Sequence, residues 1–184
     1  MSELTAIDGT LFFVADDCAN GSEIWKSDGT PGGTVLMKNI GPGATDGNPY
    51  ELTAVGSTLF FGADDGTNGY ELWKSNGTLA GTALVENIAP GAADSSPDDL
   101  IALNATTLIF SADDGTTGSE LWKSDGSAAG TALVEELAPG SDGIDIEESY
   151  MAVVGGAVLM HLNDSLIGAE LWRTDGTPAG TFLL

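Results

Sequence analysis

Residues 71–78, Glu71-Leu72-Trp73-Lys74-Ser75-Asn76-Gly77-Thr78, decide the fold, because the same phrase stands at Glu23 to Thr30, Glu120 to Ser127 and Glu170 to Thr177. In full it reads Gly-x-Glu-(Leu/Ile)-Trp-(Lys/Arg)-(Ser/Thr)-(Asp/Asn)-Gly-(Thr/Ser)-x-x-Gly-Thr. Its tryptophans, Trp25, Trp73, Trp122 and Trp172, recur about every fifty residues. A period of that length, carried by strand-type and turn-type residues, predicts a radially repeated all-β architecture.

Working outward through the second repeat, 50–55 reads as a short strand and Gly56-Ser57 as its turn. Residues 58–63, Thr-Leu-Phe-Phe-Gly-Ala, are apolar at consecutive positions, which predicts a strand buried on both faces. A polar loop at 64–69 leads to a third strand at 70–75. The turn around Asn76-Gly77 is a hairpin signal, and 82–88 completes a four-stranded antiparallel unit. No stretch carries helix caps with a sustained helical period. Strands buried on both faces need neighbouring sheets on both sides, and blades around an axis supply them. An open β-solenoid fits less well, because hairpins inside each repeat imply meanders rather than parallel coils.

The fold class expected is therefore a β-propeller of four-stranded antiparallel blades, four per chain. The blades are placed at 1–48, 49–96, 97–147 and 148–184. Gly41-Pro42-Gly43, Ala89-Pro90-Gly91 and Ala138-Pro139-Gly140 fall where an outer strand returns to the centre. Met1 aligns with the start of an innermost strand and Leu184 with the inside of an outermost one, so no strand is borrowed between the ends. Two closures fit. Either the four blades form a closed ring in one chain, held by packing alone, or two chains combine head to tail as halves of an eight-bladed ring.

Composition narrows the partners. With 28 acidic and 5 basic residues the net charge is −23, which repels nucleic acid and anionic lipid alike, and favours divalent cations or a saline medium. A single cysteine, Cys18, forbids an intrachain disulfide. The N-terminal residues do not read as a signal peptide, and no apolar run approaches the ~20 residues of a membrane span.

The phrase around each tryptophan resembles the ELWxxDGT repeat family of bacterial proteins, and the resemblance covers essentially the whole chain. It implies a β-propeller-like array in an exported or cell-surface protein, and it does not supply an active site. The Ser-Asp-Gly-Thr turn is also similar to the Asp-box hairpin of sialidase-type propellers, where it is structural.

Each repeat offers the same candidate ligand set. Asp16 and Asp17 with Glu23, Asp64 and Asp65 with Glu71, and Asp113 and Asp114 with Glu120 place hard oxygens around one glycine-rich loop, a pattern suited to Ca²⁺. The alternative is that the aspartates cap the loop's own turn and that the glutamate pairs with a base. The fourth repeat, Asn163-Asp164-Ser165-Leu166, has lost a carboxylate and the glycine, and suits an ion least. Four of the 5 cations, Lys26, Lys74, Lys123 and Arg173, follow the tryptophans and are expected to bridge carboxylates of their own or an adjoining blade. The tryptophans themselves read as interblade core before sugar platforms.

Catalytic machinery is hard to assemble from this chain. His161 stands alone at a strand position held elsewhere by Val14, Gly62 and Ser111. Arg173 is the only arginine, which excludes a three-arginine sialidase-like site. The sequence therefore points to a non-enzymatic structural or interaction module, possible Ca²⁺ reinforcement included. A multivalent carbohydrate-binding propeller is the alternative, and a carboxylate-based glycoside hydrolase a third. The expected state is a monomer, or a homodimer completing a ring.

Overall fold

The computed structural model describes residues 3–138, 143–164 and 168–184, apart from the side chains of residues 145, 147–149 and 164. Its strands form four separate antiparallel sheets, each a meander in chain order. The first holds β1 (Leu4–Ile7), β2 (Thr10–Asp16), β3 (Ser22–Ser27) and β4 (Val35–Lys38). The second holds β5 (Tyr50–Val55), β6 (Thr58–Asp64), β7 (Tyr70–Ser75) and β8 (Ala83–Leu84). The third holds β9 (Asp98–Ala102), β10 (Leu108–Asp113), β11 (Ser119–Ser124) and β12 (Ala132–Glu135). The fourth holds β13 (Ile144–Val154), β14 (Ala157–Asp164), β15 (Gly168–Thr174) and β16 (Phe182–Leu183). These are the blades the repeat predicts. Single turns of 3₁₀-helix at Ala128–Gly130 and Pro178–Gly180 interrupt the last hairpins.

Two boundaries differ from those expected. The fourth blade begins at Ile144, because Ile144 pairs with Asp164 across β14, so it takes residues assigned above to the third. The outer strand of the second blade is only Ala83–Leu84, where 82–88 was expected. The backbone leaves the sheet early because the amides of Ile88 and Ala89 turn to the carboxylate of Glu71 instead of a neighbouring strand.

Packing follows from the consecutive apolar residues of the second strand in each blade. Side chains alternate across a pleated strand, so Phe61 and Phe60 point to opposite faces of the second sheet. Phe61 joins Leu59 and Trp73 in a core completed by Phe12, Ile24 and Met37 of the first blade. Phe60 joins Leu72 and Val85 in a core completed by Leu108 and Phe110 of the third. A third core places Ile109, Leu121 and Val134 against Val158, Met160 and Leu162 of the fourth blade. The innermost strands follow one another as β1, β5, β9 and β13.

The described residues contain no fourth core returning from the last blade to the first. Leu4 of the first blade and Leu171 and Leu184 of the fourth, which a closing seam would cover, are exposed. Among the described residues the four blades are joined by three seams and no fourth, which corrects the closed four-bladed ring expected from the sequence.

Hydrogen bonds cross each seam in the same sense. Lys26 donates to the carbonyl of Gly77 at 2.6 Å, Lys74 to that of Gly126 at 2.5 Å, and Lys123 to that of Gly176 at 2.8 Å. Lys38 also reaches forward, to the carbonyl of Thr82 at 2.8 Å, with its ammonium 5.6 Å from the centre of the Trp73 ring. Among the described residues ammonium–carbonyl bonds stand where lysine–carboxylate bridges were expected, because each stem lies along the seam and ends at the next blade's hairpin, whereas Arg173 does meet a carboxylate of its own blade, Asp175 at 3.6 Å. Lys74→Met keeps the stem and drops the charge. It is expected to lower stability by about 1 kcal/mol, read as a fall of a few degrees in melting temperature. Lys74→Ala should fall further by losing the stem's packing. An unchanged melting temperature for Lys74→Met would show that the stem alone matters.

Candidate functional site

The repeated carboxylates occupy two distinct places. Glu23, Glu71 and Glu120 are fully buried and hold the segment that carries the chain from one blade to the next. Glu23 accepts the amides of Ile40 at 2.9 Å, Gly41 at 2.7 Å and Gly47 at 3.1 Å. Glu71 accepts those of Ile88 and Ala89, each at 3.0 Å, and the hydroxyl of Ser95 at 2.6 Å. Glu120 accepts those of Leu137 at 2.7 Å and Ala138 at 3.1 Å. Withdrawal from water raises the pKa of all three glutamates above the ordinary value, an effect that outweighs the opposing amide bonds.

The aspartates stay in their own loop. Asp16, Asp64 and Asp113 each accept the amide two residues on, from Cys18, Gly66 and Gly115. Asp17 accepts the amides of Asn20 and Ala19 and the side chain of Asn20; Asp65 does the same with Asn68 and Thr67. Asp114 is gripped by the amides and hydroxyls of Thr116 and Thr117. These bonds hold the pKa of Asp17 and Asp114 down, led by the Asn20 amide in the first and the Thr116 hydroxyl in the second. The loop slot after the second aspartate is left-handed, with φ of 73° at Gly66 and 79° at Gly115. Cys18 fills it in the first blade at φ 63°, exposed, as a cysteine standing in a glycine position.

The proposed Ca²⁺ ligands are therefore not brought together as a cage. Glu23, Glu71 and Glu120 spend their oxygens on the crossing segments, and Asp16, Asp17, Asp64, Asp65, Asp113 and Asp114 spend theirs on Asx turns. Among the described residues no three His, Cys, Asp or Glu side chains are grouped to hold a metal. Residues 165–167 of the fourth repeat's loop, and the Asp164 side chain, lie outside what is described. Millimolar calcium is expected to shift the melting temperature no more than magnesium at equal ionic strength. A shift several degrees larger with calcium, reversed by a chelator, would overturn this, since a bound ion stabilises by mass action.

What the surface does repeat is a shallow groove over each seam. The first, of ≈ 200 Å³, is lined by Asp8, Thr10, Lys26, Ser57 and Asn76 among others. The second, ≈ 440 Å³, has Ser57, Thr58, Thr106 and Asp125. The third, ≈ 330 Å³, has Asn104, Lys123, Asp125 and Asp175. Asp125 borders two of them. It caps its own hairpin by accepting the amide of Ser127 at 2.8 Å and the hydroxyl at 2.6 Å. Asn76 and Asp175 do the same in their hairpins toward Thr78 and Thr177. The turn chemistry holds these polar groups rigidly at the mouth of each groove.

Tryptophan serves the cores. Trp73 is buried, and Trp122 and Trp172 pack against the second and third cores. Trp25, half-buried, donates its ring N–H to the carbonyl of Ala15 at 3.0 Å. His161 on β14 lies edge-on to Tyr150, ring centres 5.8 Å apart, whereas Cys18 belongs to the first blade.

One set of seam residues was missed from the sequence. Glu3, Glu51 and Asp99 sit in the left-handed region, with φ of 62°, 56° and 55°. The β5–β6 register breaks between Tyr50 and Thr53, and Leu52 gives its amide to Glu3 of the preceding blade at 3.2 Å. Leu100 likewise donates to Glu51, at 3.4 Å. The available signal was an acid recurring just before the apolar run of the first three inner strands, which reads as ordinary surface charge until the bulge is seen.

No family model matches the chain, and no curated protein matches it either. Among solved structures it is similar to puromycin hydrolase, with a TM-score of 0.63 and 11% identity, over 95% of this chain and 26% of that one. It is also similar to TolB from Acinetobacter baumannii, with a TM-score of 0.51 and 12% identity, over 96% of this chain and 40% of that one. Both are propeller proteins, and at such identity the likeness is one of fold alone. The chain thus spans well under half of the length of either. The architecture is a β-propeller built of four-stranded blades. No described helix is long and apolar enough to cross a membrane.

Proposed function

We propose that the chain is a non-enzymatic structural and interaction module, a propeller arc belonging to an exported or cell-surface protein. The observation that carries this reading is that the recurring chemistry is spent on architecture. The buried glutamates grip the crossings, the aspartates cap loops, and the cations bridge blades, alike from seam to seam. A catalytic centre needs a nucleophile or acid–base pair converging on one reacting atom, and repetition is the opposite arrangement. A panel of chromogenic glycosides and esters is expected to show no turnover above buffer. Turnover that disappears on replacing a single carboxylate found in one blade only would overturn the reading in favour of a glycoside hydrolase.

A second reading, multivalent carbohydrate binding, is favoured by the succession of polar grooves with capped side chains at their mouths. Weak sites at fixed spacing gain by multivalency. On a glycan array, Asp125→Asn should keep the hairpin, as Asn76 does naturally, while weakening retention at two grooves together. Retention unchanged by that substitution would remove the grooves from consideration.

A further inference from the structure

Asn20-Gly21-Ser22, Asn76-Gly77-Thr78 and Asn104-Ala105-Thr106 share the triplet Asn-x-(Ser/Thr), the acceptor pattern for N-linked sugar. Asn163-Asp164-Ser165 has it too, but runs into residues outside those described. A triplet of this kind is short enough to recur by chance, so the decision falls to the side chain itself. The atom that must reach a sugar is the amide nitrogen, Nδ2.

The fold separates the three. Asn20 is half-buried and both ends of its amide are spent: Nδ2 donates to Asp17 at 2.8 Å, and Oδ1 accepts the side-chain amide of Asn39 at 3.2 Å. Asn76 and Asn104 are exposed. Oδ1 of Asn76 accepts the amide of Thr78 at 3.1 Å and its hydroxyl at 2.7 Å, and Oδ1 of Asn104 accepts both from Thr106 at 2.9 Å. Among the described residues nothing engages Nδ2 of either, so each nitrogen is presented to solvent. Two donors on the amide oxygen also favour the charge it gains as Nδ2 gives up a proton. Turn capping accounts for the oxygen alone. Asp28, Asp125 and Asp175 cap the equivalent hairpins through a carboxylate oxygen, so what asparagine adds at Asn76 is the nitrogen.

We propose that Asn76 and Asn104 are acceptors of N-linked sugar and that Asn20 is not. The proposal rests on the reading of the chain as an exported protein, where such triplets are used. The donor is a sugar activated on a diphosphate, brought by a separate transferase. Nδ2 attacks C1 of that sugar, the N–C bond forms as the C1–O bond to the diphosphate breaks, the diphosphate leaves with the electron pair, and the Nδ2 proton passes to a base of the transferase. The product is still an amide. Its oxygen therefore goes on capping Thr78 or Thr106, and the fold accepts the change. Asn76 lines the groove over the first seam and Asn104 the groove over the third, so the attached sugar stands at the mouths of both.

Site-resolved mass spectrometry tests this in two arms. In the first, the full chain, made in cells that lack a transferase and folded, is incubated with a purified transferase that reads this triplet and with uridine diphosphate glucose. Hexose is expected on Asn76 and Asn104 and none on Asn20. Asn76→Asp should lose the first hexose at an unchanged melting temperature, because Asp28 makes the same cap. Thr78→Ser should keep it, as Ser127 makes that cap naturally, and Thr106→Ala should abolish the second. No hexose at Asn76 and Asn104, or Asn20 modified as fully as they are, would overturn the proposal. In the second arm the chain is recovered from the cells that produce it, and saccharide is expected at the same two positions. A chain found outside those cells and bare would overturn the proposal and leave the exported reading standing; one kept inside and bare would overturn both.

Discussion

Glu71→Ala is expected to lower stability by about 3 kcal/mol, and on a chain of this size to lower the melting temperature by roughly 6–12 °C. The side chain is fully buried and serves three donors, the amides of Ile88 and Ala89 and the hydroxyl of Ser95. Removing it leaves those donors dry and unpaired, each at about 1–3 kcal/mol, offset in part by relief of a desolvated carboxylate. Glu71→Gln keeps one acceptor and the volume, and should cost nearer 1 kcal/mol. A melting temperature within a degree of the parent for Glu71→Ala would show that the crossing segment is held by its neighbours instead.

The same glutamates set a pH dependence whose sign follows from the direction of their shift. Their folded pKa lies above the ordinary 4.5, so between those values the folded chain binds protons that the unfolded chain has lost. Their contribution is complete below about pH 4.5 and is lost as pH rises through the folded value. The capped aspartates act oppositely. Asp17, Asp28, Asp114, Asp125 and Asp175 lie below the ordinary 3.8, so their contribution is present above it and is lost as pH falls through the folded values. Calorimetry should therefore find maximal stability at roughly pH 4–5, with a decline toward neutrality that Glu71→Gln makes shallower. Melting temperatures rising steadily from pH 4.5 to 7 would contradict this.

Phe61→Ala is expected to cost about 3–5 kcal/mol, more than the loss of any seam lysine, because the ring is fully buried between the first and second blades. Its neighbour Phe60 faces the other way, into the core between the second and third blades. Each truncation opens a cavity in a different seam, so the costs of the two single variants should add within about 0.5 kcal/mol in the double variant. Strong non-additivity in chemical denaturation would mean that the two seams share one deformable core.

The sequence by itself determined the repeat unit. Consecutive apolar residues such as Phe60-Phe61 require a neighbour on each face, and the turn at Asn76-Gly77 signals a hairpin, so the blade and its stacking follow from local chemistry. The second strand is accordingly buried on both faces. Of the candidate site, the residues were legible but their partners were not. Glu71 and Asp65 lie six positions apart and looked like one ligand set, yet one is drawn inward by amides of a distant crossing and the other outward by its own turn. Lysine after tryptophan announced an interaction without its acceptor, since a carbonyl in the next blade leaves no mark in sequence. Only the tertiary structure decided which blade faces are covered. The first and fourth blades carry the same kinds of apolar residue at these positions as the inner blades do, yet Leu52 and Leu72 are buried and Leu4 and Leu171 are not, because burial depends on which face stands against another blade and not on the local sequence.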